Sequence, residues 1–218
     1  MKPLNKYFDH TLLKPEATES QIKVLCDEAK EYDFYSVCVN SCYVPLAAQE
    51  LADTDVKIAA VVGFPLGACT TSTKVFETDG VCKRGAFEVD MVLNVGKFKS
   101  RDYDYTMNDI VSVVDVASDY GAKVKVILET SLLSDEEIIK ACQLAKAAGA
   151  HFVKTSTGFN QSGATARVVK LMKETVGNDM GVKASGGIRN YETVMELIEA
   201  GADRIGASAS VEIMKAAK

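Results

Sequence analysis

Two lysines sit in consecutive apolar runs of this chain, where a buried charge needs a reason. They are Lys154 in His-Phe-Val-Lys-Thr-Ser-Thr-Gly-Phe and Lys183 in Gly-Val-Lys-Ala-Ser-Gly-Gly-Ile. Asp90 interrupts Phe-Glu-Val-Asp-Met-Val-Leu-Asn, and Lys125 and Glu129 share Lys-Val-Lys-Val-Ile-Leu-Glu-Thr. A charge inside a buried strand is costly unless it is paired or put to use. Paired lysines have a specific use, because an amine attacks a carbonyl only when neutral and an ordinary lysine has a pKa of about 10.4. Neighbouring strands lie roughly 4.8 Å apart, which brings the two ammonium groups to about 6–7 Å. At an effective dielectric of about 20 their repulsion is roughly 2.5 kcal/mol, nearly two pKa units. Partial desolvation pushes the same way. One lysine is then substantially neutral near physiological pH while its neighbour stays charged.

A second signal concerns anions. Ser185-Gly-Gly-Ile-Arg-Asn precedes a helix beginning near Tyr191, Gly206-Ala-Ser208 precedes another, and Thr155-Ser-Thr-Gly158 follows the Lys154 run. Bare amides at helix N-termini bind phosphate through free N–H groups and the helix dipole. Arg189 either assists there or is a solvated surface charge. The two histidines, His10 and His151, argue against a His-rich zinc site and so against metal-dependent carbonyl chemistry. Six cysteines lie scattered without Cys-x-x-Cys spacing and read as small reduced core residues.

The elements that must position these residues repeat as a unit: apolar run, turn, amphipathic helix. Strand-like runs fall near 8–11, 35–40, 56–64, 86–94, 123–129, 151–156, 181–185 and 204–206. Helical patterns fall near 19–32, 42–52, 72–84, 105–120, 135–148, 162–175, 191–200 and 208–216. Ser134-Asp-Glu-Glu opens one helix with a cap and an acidic first turn, and Ala-Gly-Ala at 148–150 and 200–202 supplies glycine stops. Runs such as Ile58-Ala-Ala-Val-Val read as parallel strands covered on both faces. Eight strand–helix pairs in 218 residues predict an α/β fold, a (β/α)8 TIM barrel spanning 1–218 as one domain. An open doubly wound sheet would carry a Gly-rich turn after its first strand, which is missing here. Barrel active sites lie at the C-terminal ends of the strands, so charges there read as chemistry; the competing reading is a structural ion-pair network in the barrel mouth.

Composition is that of an ordinary globular protein, 47% hydrophobic and 25% charged, with a formal charge of −5. That charge gives no general attraction to nucleic acid or to an anionic membrane surface. No apolar run reaches the roughly 20 residues of a membrane span, and the N-terminus lacks the apolar core of a signal peptide. The cytoplasm is the expected compartment.

Together these residues resemble the deoxyribose-phosphate aldolase family of class I, Schiff-base-forming aldolases, over essentially the whole chain. The segments that carry the resemblance are Asp9-His-Thr-Leu-Leu-Lys-Pro, Ser36-Val-Cys-Val-Asn, Val62-Gly-Phe-Pro-Leu-Gly, Glu88-Val-Asp-Met-Val, Val126-Ile-Leu-Glu-Thr, Val153-Lys-Thr-Ser-Thr-Gly-Phe, Val182-Lys-Ala-Ser-Gly-Gly-Ile-Arg and Arg204-Ile-Gly-Ala-Ser. The resemblance implies reversible cleavage of 2-deoxy-D-ribose 5-phosphate to acetaldehyde and D-glyceraldehyde 3-phosphate, in deoxyribose phosphate catabolism. It implies Lys154 as the Schiff-base lysine, Lys183 as its perturbing and proton-transferring partner, and Asp90 as general acid and base. Gly158, Gly186, Gly187, Arg189, Gly206 and Ser208 are implied at the phosphate end, and Asp9, Thr11, Cys38, Lys125 and Glu129 as a supporting polar shell. No cofactor and no metal are implied, because the protonated imine is itself the electron sink. The implied partner is a small phosphorylated sugar; homodimers are common among similar proteins, though no residue pattern marks one here.

Three positions depart from the pattern. Phe159 stands where some members have lysine after Thr-Gly, the chain lacks the C-terminal tyrosine of some members, and Ser208-Ala-Ser-Val lacks an expected glycine. Two other readings remain at this point. One is a class I aldolase with a larger donor, which needs more room near Val92 and Phe64. The other is a sugar-phosphate sensor, which has no reason to hold two lysines and a carboxylate.

Overall fold

The computed structural model describes residues 2–160 and 162–217, so Met1 and Lys218, the ends of the expected 1–218 domain, lie outside the described residues. Eight parallel strands close on themselves in sequence order: β1 (Phe8–Leu12), β2 (Ser36–Val39), β3 (Lys57–Val62), β4 (Glu88–Val92), β5 (Lys123–Ile127), β6 (Phe152–Lys154), β7 (Gly181–Ser185) and β8 (Arg204–Ala207). Closure is completed by β1 pairing with β8, Asp9 opposite Gly206. The helices are α1 (Glu19–Glu31), α2 (Val44–Glu50), α3 (Thr71–Lys83), α4 (Val95–Lys99), α5 (Tyr103–Ser118), α6 (Asp135–Ala147), α7 (Ala166–Val176), α8 (Tyr191–Glu199) and α9 (Ser210–Ala216). This is the TIM barrel that the strand–helix repeat predicts.

Helix starts follow their caps. Ser134 and Thr18 each make a reciprocal capping box, with Glu137 and Gln21 respectively. Thr165 caps α7, so that helix begins four residues later than its apolar pattern predicts. The short α4 was hidden because its cap, Asn94, reads as the end of an apolar run; the Asn94 side chain accepts from the Lys97 amide at 3.2 Å.

The expectation of an apolar strand covered on both faces holds for β3, where Ile58, Ala60 and Val62 join one apolar cluster and Ala59 and Val61 another; β4 and β5 alternate apolar and charged residues instead. Val37, Val39, Ile58, Ala60, Val62, Val89, Met91, Val124, Val126, Val153, Val182 and Ile205 join the helix-facing core. The residues between them, of opposite parity, face the barrel interior. That interior carries Asp9, Cys38, Glu88, Asp90, Lys125, Lys154, Lys183 and Arg204, all buried. The apolar layer that stabilises the fold therefore surrounds the strands, and an ionic layer fills them.

A fully buried ion pair lies outside the barrel interior. Lys74 on α3 is fully buried, donating to Asp109 on α5 at 2.5 Å and to the Val92 carbonyl at 2.9 Å, and Thr71 donates to the other Asp109 oxygen at 2.8 Å. Breaking a buried pair strands the remaining charge, whereas replacing both partners does not. Lys74→Met should accordingly lower the unfolding free energy by about 3–5 kcal/mol. Lys74→Met/Asp109→Leu should recover most of that loss in urea titrations.

Candidate active site

Register brings the two lysines together. Lys154, the last residue of β6, lies opposite Lys183 of β7, and Asp90 of β4 lies opposite Lys125 of β5. Asp90 is the hub. One of its oxygens, Oδ2, accepts from Lys154 at 2.8 Å and from Lys183 at 2.8 Å, while Oδ1 accepts from Lys125 at 2.6 Å. The two amine nitrogens are therefore no further apart than twice that distance, closer than strand spacing alone predicts. Lys183 also meets Asp9 at 2.5 Å, and Lys125 meets Glu88 at 2.6 Å. The Cys38 thiol approaches Asp90 Oδ2 at 4.0 Å.

Electrostatics separate the lysines. Burial, the largest influence, holds Lys154 below the usual lysine range; Asp90 opposes this and Lys183 adds to it. Burial acts on Lys183 in the same sense, but Asp9 and Asp90 overcome it and raise its pKa. Lys125 is likewise raised, Asp90 and Glu88 outweighing burial. Burial alone would raise Asp90, yet Lys125, Lys154 and Lys183 hold it well below the ordinary carboxylate range. The two lysines are thus shifted in opposite directions, Lys154 down and Lys183 up, the sense that the expected division requires. Its cause is reordered: desolvation leads and the neighbouring lysine is secondary, because Asp90 lies against both amines.

Above the lysines opens a cavity of about 420 Å³. Thr11, Lys154, Gly158, Gly186, Gly187, Arg189, Gly206 and Ser208 all line it, so the expected phosphate-end residues come together around the amine. Asp90 and Lys183 do not line it; they are wholly buried beneath Lys154. Gly206 is a glycine because a Cβ there would come within 2.9 Å of the Lys183 side chain. Thr157 and Ile188 reach the cavity wall within the two loops expected there, whereas Lys14 was not assigned to it; its basic charge within the Asp9–Pro15 segment was the available signal.

Of the remaining expected residues, Asp9, Cys38 and Lys125 lie inside the barrel, while Thr11 donates to the Asp9 carbonyl at 2.7 Å. Glu129 is not in its strand. It adopts φ 56° just beyond β5, and its Oε2 accepts from the Thr157 hydroxyl at 2.5 Å and the Thr157 amide at 3.3 Å, tying two loops together. The expected bare helix N-terminus after β7 is also corrected. Asn190 caps α8, accepting from the Thr193 amide at 2.9 Å, and the open amides belong instead to the Gly186–Gly187 loop and to α9, which no side chain caps. Phe159 stands half-exposed on the wall, edge-on to Phe64 with ring centroids 5.3 Å apart. His10 and His151 lie apart from the lysines: His10 packs against Phe34 and pairs with Glu28 on α1, and the His151 ring accepts from the Val124 amide.

Residues 4–215 match the model of the DeoC/LacD family of aldolases. The chain belongs to this family. This DeoC/LacD aldolase is 60% identical over 215 residues to a deoxyribose-phosphate aldolase of Clostridium novyi, covering 99% of this chain and 96% of the relative. It is 58% identical over 214 residues to a deoxyribose-phosphate aldolase of Enterococcus faecalis, covering 98% and 97% respectively. Among solved structures it resembles the tetrameric deoxyribose phosphate aldolase of Aeropyrum pernix, with 35% identity and a TM-score of 0.90 over 96% of this chain and 88% of that one. No helix among the described residues of the aldolase is long and apolar enough to cross a membrane.

The ion network makes a statement about acid stability. Burial tends to raise the Asp9 carboxyl, but Arg204, Lys183 and Lys125 prevail and lower its pKa; Asp90 is lowered too. A carboxylate with a lowered folded-state pKa stabilises fully above its unfolded value, about 3.9, and loses that contribution as pH falls towards the folded value. The urea midpoint should therefore drop between pH 5 and pH 3. Asp9→Asn should lower the midpoint at pH 6 and narrow its difference from pH 3.

Proposed function

We propose that the aldolase cleaves 2-deoxy-D-ribose 5-phosphate reversibly to acetaldehyde and D-glyceraldehyde 3-phosphate through an imine on Lys154. The observation that carries this reading is the buried Lys154 amine on the cavity floor, held below the usual lysine range and resting on the Asp90 oxygen that Lys183 shares. The neutral amine attacks C1 of the open-chain sugar, and loss of water with uptake of one proton gives a protonated imine. Deprotonation of the C3 hydroxyl breaks the C2–C3 bond, the imine takes up the electron pair as an enamine, and the aldehyde product leaves. Protonation at C2 and hydrolysis then release acetaldehyde and the free amine.

Asp90 and Lys183 serve as the proton relay. Both amines donate to Asp90 Oδ2, so a proton lost or gained by Lys154 has a continuous path to Lys183. Asp90 is held too acidic to store a proton for long and acts chiefly by passing it on. A two-carbon donor suits the space available. Cys38, Ala59, Val61 and Leu13 form a packed apolar cluster with Phe64 against it, which supports a small donor. The sugar phosphate is placed at the opposite wall, on the amides of Gly186, Gly187 and the α9 start, with Gly158, Gly206 and Ser208 alongside and the cations Arg189 and Lys14 at the rim. Self-association, as in the tetrameric A. pernix protein, and a cytoplasmic location belong to the same proposal; a dimer is the assembly first to be tested by sedimentation.

Reduction with borohydride in the presence of acetaldehyde should leave a stable two-carbon adduct on Lys154, mapped by peptide mass. An adduct on Lys183 with Lys154 untouched would reverse the assignment. The phosphate placement is tested at Ser208, since Gly187, at φ 74°, would strain any side chain. Ser208→Asp should raise KM at least about tenfold for the phosphorylated sugar by repelling the dianion, with little change for free deoxyribose. Equal losses on both substrates would remove phosphate from that wall.

A further inference from the structure

Seven buried side chains inside the barrel form one connected ionic set: Asp9, Glu88, Asp90, Lys125, Lys154, Lys183 and Arg204. Three carboxylates thus face four cations. An uncompensated charge in so buried a place is expensive, so the set is least costly when one cation gives up its proton. A guanidinium does not do so. Lys125 touches both Glu88 and Asp90 at 2.6 Å, and Lys183 touches Asp9 at 2.5 Å and Asp90 at 2.8 Å. Lys154 touches Asp90 alone, on an oxygen that Lys183 already uses. Lys154 is the cation left over.

Arg204 completes this count from the opposite end. It begins β8, away from the cavity, and its Nη1 donates to Asp9 at 2.7 Å and Glu88 at 3.0 Å, with Nη2 on Glu88 at 3.3 Å. The guanidinium carbon lies 3.5 Å from the centroid of the Tyr35 ring and 5.4 Å from that of Phe152, which fixes its plane. Resting on Lys154 as the imine-forming lysine, we propose that Arg204 is a positioning residue that keeps Lys154 neutral by occupying Asp9 and Glu88. Those two carboxylates are then only partly available to Lys183 and Lys125, which must lean on Asp90. Without Arg204, Asp9 falls to Lys183 and Glu88 to Lys125, and Asp90 is released to hold Lys154 as an ammonium. Three anions then match three cations, and no amine needs to be neutral.

The titratable groups facing Lys154 are Asp90 from β4, Lys183 from β7 and Cys38 from β2, with Lys125 of β5 on the far oxygen of Asp90. The thiol of Cys38 is itself pushed up by burial and stays protonated near neutral pH, so it adds no charge to the count. Glu88 supplies the opposite perturbation. Removing it leaves two carboxylates against four cations, which holds Lys154 neutral down to lower pH.

The test follows the rate of cyanoborohydride trapping of acetaldehyde on Lys154 from pH 5.5 to 10 in full-length protein, with the adduct mapped by mass spectrometry. Arg204→Met should move the midpoint up by about one pH unit or more, so trapping at pH 7 slows about tenfold and recovers at alkaline pH. Glu88→Gln should move the midpoint down. Arg204→Met/Glu88→Gln removes one charge of each sign and should return the midpoint to that of the unaltered protein. A loss in Arg204→Met that is uniform across pH, with the midpoint unmoved, would mean a merely structural arginine and overturn the proposal. If Arg204→Met does not fold, Glu88→Gln decides alone, and a midpoint that stays or rises overturns it. An unaltered protein with no Lys154 adduct at any pH would instead sink the imine assignment, a result distinct from adducts with unshifted profiles.

Discussion

One carboxylate oxygen, Asp90 Oδ2, holds two amines at 2.8 Å each inside a closed barrel. A carboxylate so placed survives only as an anion surrounded by cations, and a lysine so placed survives as a cation only if a carboxylate attends it. The need for both sets the rest of the interior. Lys125 takes the second Asp90 oxygen, Glu88 and Asp9 balance Lys125 and Lys183, and Arg204 closes the set. The asymmetry between the lysines follows from how many carboxylates each reaches, since burial pushes both in the same direction.

Stability and chemistry are thereby assigned to different layers. Apolar residues of one strand parity pack against the helices, where burial is worth roughly 25 cal/mol per Å². Residues of the other parity form an ionic filling, which at best breaks even against a hydrophobic one of the same shape. Barrels more often fill with branched apolar side chains. An ionic filling contributes little that packing would not, and what it adds is control over the charge of an amine at the cavity floor.

The cavity walls depend on contacts between loops that are remote in sequence. Glu129, after β5, fixes the Thr157 loop after β6, and that loop's return is pinned where the Ala164 amide meets the Ser185 and Gly186 carbonyls at 3.1 Å. The anion-facing amides of the β7 loop therefore take their position partly from the chain that follows Lys154.

Much of this was legible in the residues themselves. Lysines inside apolar runs are rare enough to signal use, the strand–glycine–helix repeat is periodic enough to give a barrel, and the quoted segments carry the family resemblance. Those features are local, each set by a few consecutive residues. What the sequence left open depends on closure of the sheet. Glu88 and Arg204 lie 116 residues apart and meet only because β4 and β8 face each other across the barrel. Asp90 stood out in its run, but Glu88 and Arg204, at the starts of β4 and β8, gave no sign that they turn inward. The Asn190 cap and the left-handed Glu129 depend on backbone dihedrals that residue types do not fix. Likewise the leading cause of the Lys154 shift, desolvation, is a property of everything packed around the amine. The sequence alone determined which side chains are available for chemistry; only the folded barrel decided which way each is shifted, because charge in a buried place is settled by the whole set of neighbours.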